Sequence, residues 1–270
     1  MLNRPEPAGP ERTVRAGPHF TKTDGKRLDR MDTKIKKYRH DADYSYTPGM
    51  TLTVEMIRCA PQLVRRVYVH PDYQSRDPEQ DIRFLCDQAG ISWEMGEKIF
   101  SRLGLKENAF VLGVFSKADA PIQPRRPHVV LVNPSDAGNL GTILRTGAGF
   151  GFHDFAIVRP GVDIFDPKVI RASMGAFFHI RFTYYDTFDD YRRQFPEQLL
   201  YPFMLKGKTD LKQVAVRPGQ PFSLVFGNEA TGLPDTFLDC GESVIIRHSR
   251  EIDSLNLSIA FGIAAHWFGQ

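Results

Sequence analysis

From Tyr38 onward, short apolar runs alternate with segments of helical period. Pro48-Gly49 marks a turn, after which Thr51 or Thr53 caps a helix running through Met56 and Ile57. Val67–His70 reads as a strand. Pro78 opens a helix carrying Ile82, Phe84 and Leu85, which Gly90 closes. Ile91–Met95 is a strand, Glu97–Leu103 a short helix and Ala109–Phe115 a strand. This β-α-β-α-β alternation predicts a small α/β domain over residues 38–117. Residues 118–127 form a linker: the stretch from Lys117 to Pro127 holds three prolines and no apolar period.

Residues 128–270 read as a second α/β domain. Six apolar strands are predicted at His128–Asn133, Phe155–Arg159, Ile180–Tyr185, Leu200–Leu205, Phe222–Phe226 and Ser243–Arg247. Helical patterns separate them around 139–149, 167–177, 187–195, 209–214 and 254–268. That order implies a mostly parallel sheet with both faces covered. Ligands of such sheets bind beyond the C-terminal ends of the strands.

Composition narrows the class. The chain has 270 residues, 41% hydrophobic and 25% charged, as in an ordinary soluble protein. Twenty Phe and nine Tyr exclude disorder throughout. The run from Leu255 to Phe268 is too short for a membrane span, and Asn256, Ser258 and His266 interrupt it. No basic start precedes an apolar stretch near the N-terminus, so secretion is not expected. Three cysteines without a CxxC pair predict neither a disulfide framework nor a zinc site, and fit a reducing cytoplasm. Eight scattered histidines lack HExxH-like spacing, so no metal is expected. The net charge of +3 is uneven: residues 1–40 hold eleven Lys/Arg against five Asp/Glu. Residues 1–37 therefore read either as a mobile basic arm for a polyanion or as a solubilising tail. An over-extended start, with Met31 as the true first residue, is a further alternative.

Chemistry concentrates at three strand exits. The first, Val129–Arg145, runs from a strand through a polar loop into a helix, with Asn139 as an N-cap candidate and Arg145 in the second turn. The second, Phe222–Pro234, ends its strand at Gly227, where a glycine lets backbone approach a ligand, followed by Asn228, Glu229, Thr231 and Gly232. Its glycine spacing resembles a phosphate loop, but Leu233 stands where that loop needs Lys. In the third, Ile245–Ala260, Asp253 or Ser254 caps the last helix. Asn256 sits in that helix's first turn without propensity to favour it, which suggests a hydrogen-bonding task. Gly147-Ala-Gly-Phe-Gly151 mimics a dinucleotide fingerprint but follows a helix, so tight helix–strand packing explains it better.

Together these exits resemble the SpoU/TrmH-type RNA methyltransferases of the SPOUT superfamily. Asn139 and Arg145 match the first family motif, Gly227, Glu229 and Gly232 the second, and Ser254-Leu255-Asn256 the third. The resemblance covers residues 128–270 and implies an α/β-knot domain whose C-terminal segment threads a deep trefoil knot. Residues 38–117 resemble the L30e-like RNA-binding domain often fused to this branch. The resemblance further implies S-adenosylmethionine as cofactor, rRNA or tRNA as partner, and methylation of a ribose 2′-hydroxyl. A homodimer is implied, with Arg145 supplied by the partner subunit. The matched catalytic set is Arg145, Asn139, Glu229, Ser254 and Asn256. The matched cofactor set is Leu205, Gly207, Gly227, Ile246, Leu255 and Asn256. Ile246-Arg247-His248 departs from the family's Ile-Pro-Met and adds positive charge near the site. Base-nitrogen methylation and a non-catalytic RNA-binding role stay open; intact Arg145, Glu229 and Asn256 argue against the latter. A nicotinamide dehydrogenase lacks its glycine loop in the right place.

Overall fold

Two sheets divide the chain near residue 120. The computed structural model describes residues 35–75, 77–105, 109–217, 219–249 and 251–269. The expected basic arm, 1–37, lies outside the described residues except for 35–37.

The first sheet is mixed. It uses β1 (Tyr44–Pro48), α1 (Met50–Cys59), β2 (Val64–Val69), α2 (Ile82–Gln88), β3 (Trp93–Met95), α3 (Glu97–Leu103) and β4 (Val111–Ser116). The strand order is β1-β4-β2-β3, with β4 antiparallel to both β1 and β2. The sequence pattern misses β1, which ends in Pro48 at the sheet edge, where a missing N–H is tolerated. Thr53 does not cap α1. It is buried within the helix, and its hydroxyl bonds the Thr47 and Gly49 carbonyls at 3.1 and 2.9 Å. Pro78 opens only a 3-10 turn, and Asp81 caps α2 by accepting from the Arg83 N–H at 2.8 Å.

The second sheet is parallel. This half of the chain runs β5 (His128–Val132), α4 (Ala137–Gly149), β6 (Asp154–Val158), α5 (Pro167–Ala172), β7 (Arg181–Tyr185), α6 (Phe188–Gln194), β8 (Leu199–Pro202), β9 (Thr209–Asp210), β10 (Phe222–Phe226), β11 (Val244–Ile245) and α7 (Leu257–Phe268), with β9 and β11 forming a separate two-stranded pair. The strand order is β7-β6-β5-β10-β8. Strands β5, β6 and β10 are buried at every position, as expected of a sheet covered on both faces. Leu140, Ile143 and Leu144 of α4, with Phe261, Ala264 and Phe268 of α7, bury against this core. Each large apolar side chain of this kind contributes about 1.5–3 kcal/mol. A Cβ at Gly147 would lie 2.6 Å from the Phe155 ring, so the fingerprint mimic is indeed a helix–strand packing device.

Three predicted elements change. The helix expected over 167–177 ends at Ala172, because Met174 and Gly175 take positive φ, and a 3-10 turn follows at Ala176–His179. The expected helix over 209–214 is the short strand β9 plus a 3-10 turn, Leu211–Gln213. The last expected strand shrinks to β11, which pairs with β9 and touches the main sheet only through a single bridge from Val244 to Phe203, just beyond β8.

The N-terminal ends of the central strands are sealed. Tyr191 of α6 reaches His128 Nδ1 at 2.9 Å and Ser223 Oγ at 2.6 Å, and Ser223 Oγ lies 3.0 Å from the Gln198 side-chain amide. The Gln123 carbonyl faces His128 Nε2 at 2.8 Å, which makes Nε2 the donor and Nδ1 the acceptor of a neutral ring. Burial, only partly opposed by that carbonyl, holds the His128 pKa below its usual value. Beside it Arg181 grips Asp154 through 2.7 and 2.5 Å bonds, with Asp154 1% exposed.

Candidate active site

The three strand exits converge beyond the C-terminal ends of β5 and β10. Asp136, and not Asn139, caps α4: its carboxylate accepts from the Asn139 N–H at 2.7 Å. That substitution of roles frees the Asn139 side chain. Its Nδ2 donates to Glu229 Oε1 at 3.3 Å, and its Oδ1 accepts from Asn256 Nδ2 at 3.1 Å. Asn256 is itself the cap of α7, accepting from Ser258 N at 2.9 Å; neither Asp253 nor Ser254 takes that role. One amide thus terminates the last helix and ties it to the first motif.

Glu229 clamps the loop before α4. Its Oε2 accepts from Ser135 N at 2.9 Å and Ser135 Oγ at 2.6 Å, and its Oε1 accepts from Asp136 N at 3.1 Å. Burial raises the cost of ionising this carboxyl, but the Ser135 and Asp136 bonds outweigh it, and the pKa falls below the usual glutamate value. Asn228 adds a second tie: its Nδ2 donates to the Asn133 carbonyl at 2.8 Å. Sequence reasoning missed Ser135, Asp136 and Asn228 as partners. The Asp136-x-x-Asn139 spacing carried the capping signal; the bond to Ser135 crosses 94 residues and left none.

A cleft of about 340 Å³ opens beside this junction. Leu205, Gly227, Glu229, Ile246, Ser254 and Leu255 line it, so four of the six expected cofactor residues share one wall system. Leu205 is 60% exposed there, an apolar face available to a flat ring. Gly207 does not line the cleft. A Cβ on it would lie 2.4 Å from the Val244 backbone, so that glycine serves the packing of its turn on β11. The same holds for Gly227, where a Cβ would lie 2.2 Å from the Gly232 backbone; the loop itself takes the space assigned above to a ligand. Asn256 is exposed, does not line the cleft, and links to Asn139 beside it.

Arg145 stands apart. It is exposed on α4, does not line the cleft, and among the described residues makes no hydrogen bond or ion pair. Glu229 therefore orients the α4 loop. Arg247 is neutralised by Asp210 at 2.7 Å, whereas His248 does line the cleft. Lys206 at the rim is paired with Asp235 at 2.8 Å. The cleft combines apolar walls, strand-end backbone and the Glu229 carboxylate, a donor and acceptor set that fits a nucleoside bearing a cationic sulfonium.

Residues 126–266 match the SpoU rRNA Methylase family. A Listeria innocua protein with the provisional name tRNA (cytidine(34)-2′-O)-methyltransferase is 31% identical over 143 residues, covering 52% of this chain and 84% of that one. The mitochondrial rRNA methyltransferase 3 of Xenopus laevis is 29% identical over 167 residues, 57% of this chain and 39% of that protein. The crystal structure of an AdoMet-bound rRNA methyltransferase from Sinorhizobium meliloti superposes with a TM-score of 0.69 at 25% identity, covering 84% of this chain and 87% of that one. Motif order, the tie among Asn139, Glu229 and Asn256, and the match over half the sequence agree: the chain belongs to the SpoU rRNA methylase family.

Proposed function

We propose that this protein methylates a ribose 2′-hydroxyl of rRNA or tRNA, with S-adenosylmethionine as the methyl donor. The observation that carries the reading is the Glu229–Asn139–Asn256 tie at the mouth of an apolar cleft beyond the strand ends. The AdoMet-bound relative and the 2′-O-methyltransferase relative support the cofactor and the reaction. The cofactor supplies a methyl group already activated on sulfur. Leu205, Ile246 and Leu255 hold the nucleoside part, and Glu229 keeps the α4 loop shaped around it. Gly227 and Gly207 act through the backbone packing that forms the cleft walls.

Arg145 is the proposed catalytic residue. A guanidinium is too basic to take a proton. It acts by stabilising negative charge growing on the 2′-oxygen, or by gripping a neighbouring phosphate with two parallel bonds. Asn139, Glu229 and Asn256 are positioning residues, and Ser254 faces the cleft as a contact to the nucleotide.

A homodimer completes the site. Ile259 is 56% and Ile263 39% exposed on one face of α7, next to the α4 helix that carries Arg145. Covering that apolar face with a second copy brings Arg145 towards the partner's cleft. The return of the chain from β11 through 246–256 to α7, against α4, supports a trefoil knot. The mixed sheet over 44–116 supports an L30e-like RNA-binding domain ahead of the methyltransferase domain, divided by the linker 118–127. Among the described residues no helix is long and apolar enough to cross a membrane. Three free thiols support a cytoplasmic setting.

The test is incubation of the full chain with S-adenosylmethionine and total RNA, followed by nucleoside mass spectrometry. A 2′-O-methylated nucleoside is expected. A product methylated only on its base would overturn the ribose assignment.

A further inference from the structure

Away from the cleft, three metal-binding side chains meet where the two sheets join. Glu55 and Cys59 lie one turn apart on α1, and His179 closes the 3-10 turn Ala176–His179 of the other sheet's domain. His179 Nε2 lies 3.1 Å from Glu55 Oε2 and 3.4 Å from Cys59 Sγ, and Cys59 Sγ lies 3.8 Å from Glu55 Oε2. A plain hydrogen-bonded His–Glu pair needs no thiol at this spacing. A tetrahedral zinc ion does: its bond lengths place N and O about 3.3 Å apart and S about 3.5 Å from either. The three atoms therefore already outline one face of a metal tetrahedron.

The elements that carry them are held rigidly. Phe177 and Phe178 are fully buried, and both pack on Phe115 of β4. Gly175 lets the preceding turn close on the Glu55 stem, which a Cβ there would meet at 2.7 Å. His179 is 37% and Glu55 27% exposed, so an ion has an entry path and water a fourth position. No spacing motif announced the cluster, because His179 is 120 residues from Cys59.

We propose that Glu55, Cys59 and His179 form a divalent metal site of the zinc class that clamps the N-terminal domain to the methyltransferase domain. Binding replaces the Cys59 S–H bond with a metal–sulfur bond and releases that proton to solvent. His179 Nε2, whose proton faces Glu55 Oε2 in the metal-free protein, gives up that proton as the ring shifts to the Nδ1–H tautomer, and Nε2 then binds the ion. The Glu55 carboxylate supplies an oxygen and water completes the tetrahedron. No redox step is involved, and the site is independent of methyl transfer.

The experiment titrates chelator-treated full-length protein with Co²⁺, then with Zn²⁺. One equivalent of Co²⁺ should produce a sulfur-to-cobalt charge-transfer band and the intense visible bands of a tetrahedral site, which Zn²⁺ then bleaches. Cys59→Ser should abolish the charge-transfer band. Cys59→Ser and His179→Gln should each weaken Zn²⁺ binding more than about 100-fold, beyond the usual loss from an outer-shell change. Cys240→Ser should leave binding unchanged. In the unaltered chain, Zn²⁺ should protect Cys59 from alkylation, mapped by peptide mass. A wild-type protein without the charge-transfer band, or a Cys59 equally alkylated with and without Zn²⁺, would overturn the proposal.

Discussion

At the N-terminal ends of β5, β10 and β8, His128, Ser223 and Gln198 meet Tyr191 in a network closed to solvent. At the opposite ends of β5 and β10, Asn139, Glu229 and Asn256 meet in a network that stays half open. Both are chains of polar side chains, and among the described residues no buried side-chain nitrogen or oxygen lacks a partner. They differ in what surrounds them. The sealed end is backed by aromatic rings, with Phe195 edge-on to His128 at 4.7 Å. The open end faces a cleft whose wall includes an exposed leucine. Burial makes a polar network costly to break; exposure makes it available to a substrate. The same fold thus closes one end of its sheet to solvent and leaves the other open to a ligand.

Substitutions can separate the two ends. The largest expected stability loss is at the sealed end. Arg181→Ala leaves the Asp154 carboxylate buried without its cation, and should cost about 3–5 kcal/mol in chemical denaturation. The loss sharpens the comparison if the surviving folded fraction still binds S-adenosylmethionine. Glu229→Gln attacks the open end. It puts an N–H₂ where Ser135 and Asp136 need acceptors, so methyl transfer should fall by up to about 10²-fold through misplacement of the α4 loop. A full rate with the loop unmoved would break the assignment of Glu229 as a clamp. Tyr191→Phe removes one hydroxyl from the sealed network and should cost about 1–3 kcal/mol without changing cofactor affinity.

The smallest expected effect is on pH. Burial depresses the folded-state pKa of His128 below the ordinary imidazole value. The unfolded chain therefore takes up the proton first. The stability contributed by the neutral ring is complete above about pH 6.5 and declines as pH falls below it towards the folded pKa. Half-buried His153 is shifted in the same direction for the same main cause. Melting temperature should drop between pH 7.5 and 5.5, and less steeply in His128→Gln. Glu229, also depressed, acts in a lower window: its contribution is present above the ordinary glutamate value and fades as pH falls through its folded pKa. An equal pH slope in His128→Gln would remove that histidine from the account.

How much of this was legible in the sequence depended on the range of the interactions. Strands β5 and β10 showed themselves because their five consecutive buried residues are apolar except for His128 and Ser223. The motif residues showed themselves by local spacing at strand exits. What failed was competition between neighbours for one task. Asp136 outcompetes Asn139 as the cap of α4, and this frees Asn139 to bond Glu229 and Asn256. Helix 167–177 failed where Met174 and Gly175 leave the helical region, at a point where Gly175 packs on Glu55, a contact 120 residues away in sequence. Gly227 was singled out as a close approach to a ligand, and Gly207 as a cofactor neighbour, but at both the approaching atoms are backbone of the same chain. Only the three-dimensional path of the chain could supply that distinction.

The measurement that bears most directly on the function of the open end is the Arg145→Ala variant, read two ways on one sample. Its affinity for S-adenosylmethionine by calorimetry and its single-turnover methyl transfer to the cognate RNA are taken together, in a preparation verified as dimer. Arg145 lies outside the cleft and lacks a partner among the described residues, so cofactor affinity should be unchanged. The rate should fall about 10²–10³-fold, as when a donor to developing negative charge is lost. Lys in its place should not restore the rate, because it keeps the charge without the planar fork. Wild-type turnover by Arg145→Ala would contradict the account, and a parallel loss of cofactor binding would move Arg145 from the reaction to the cofactor site.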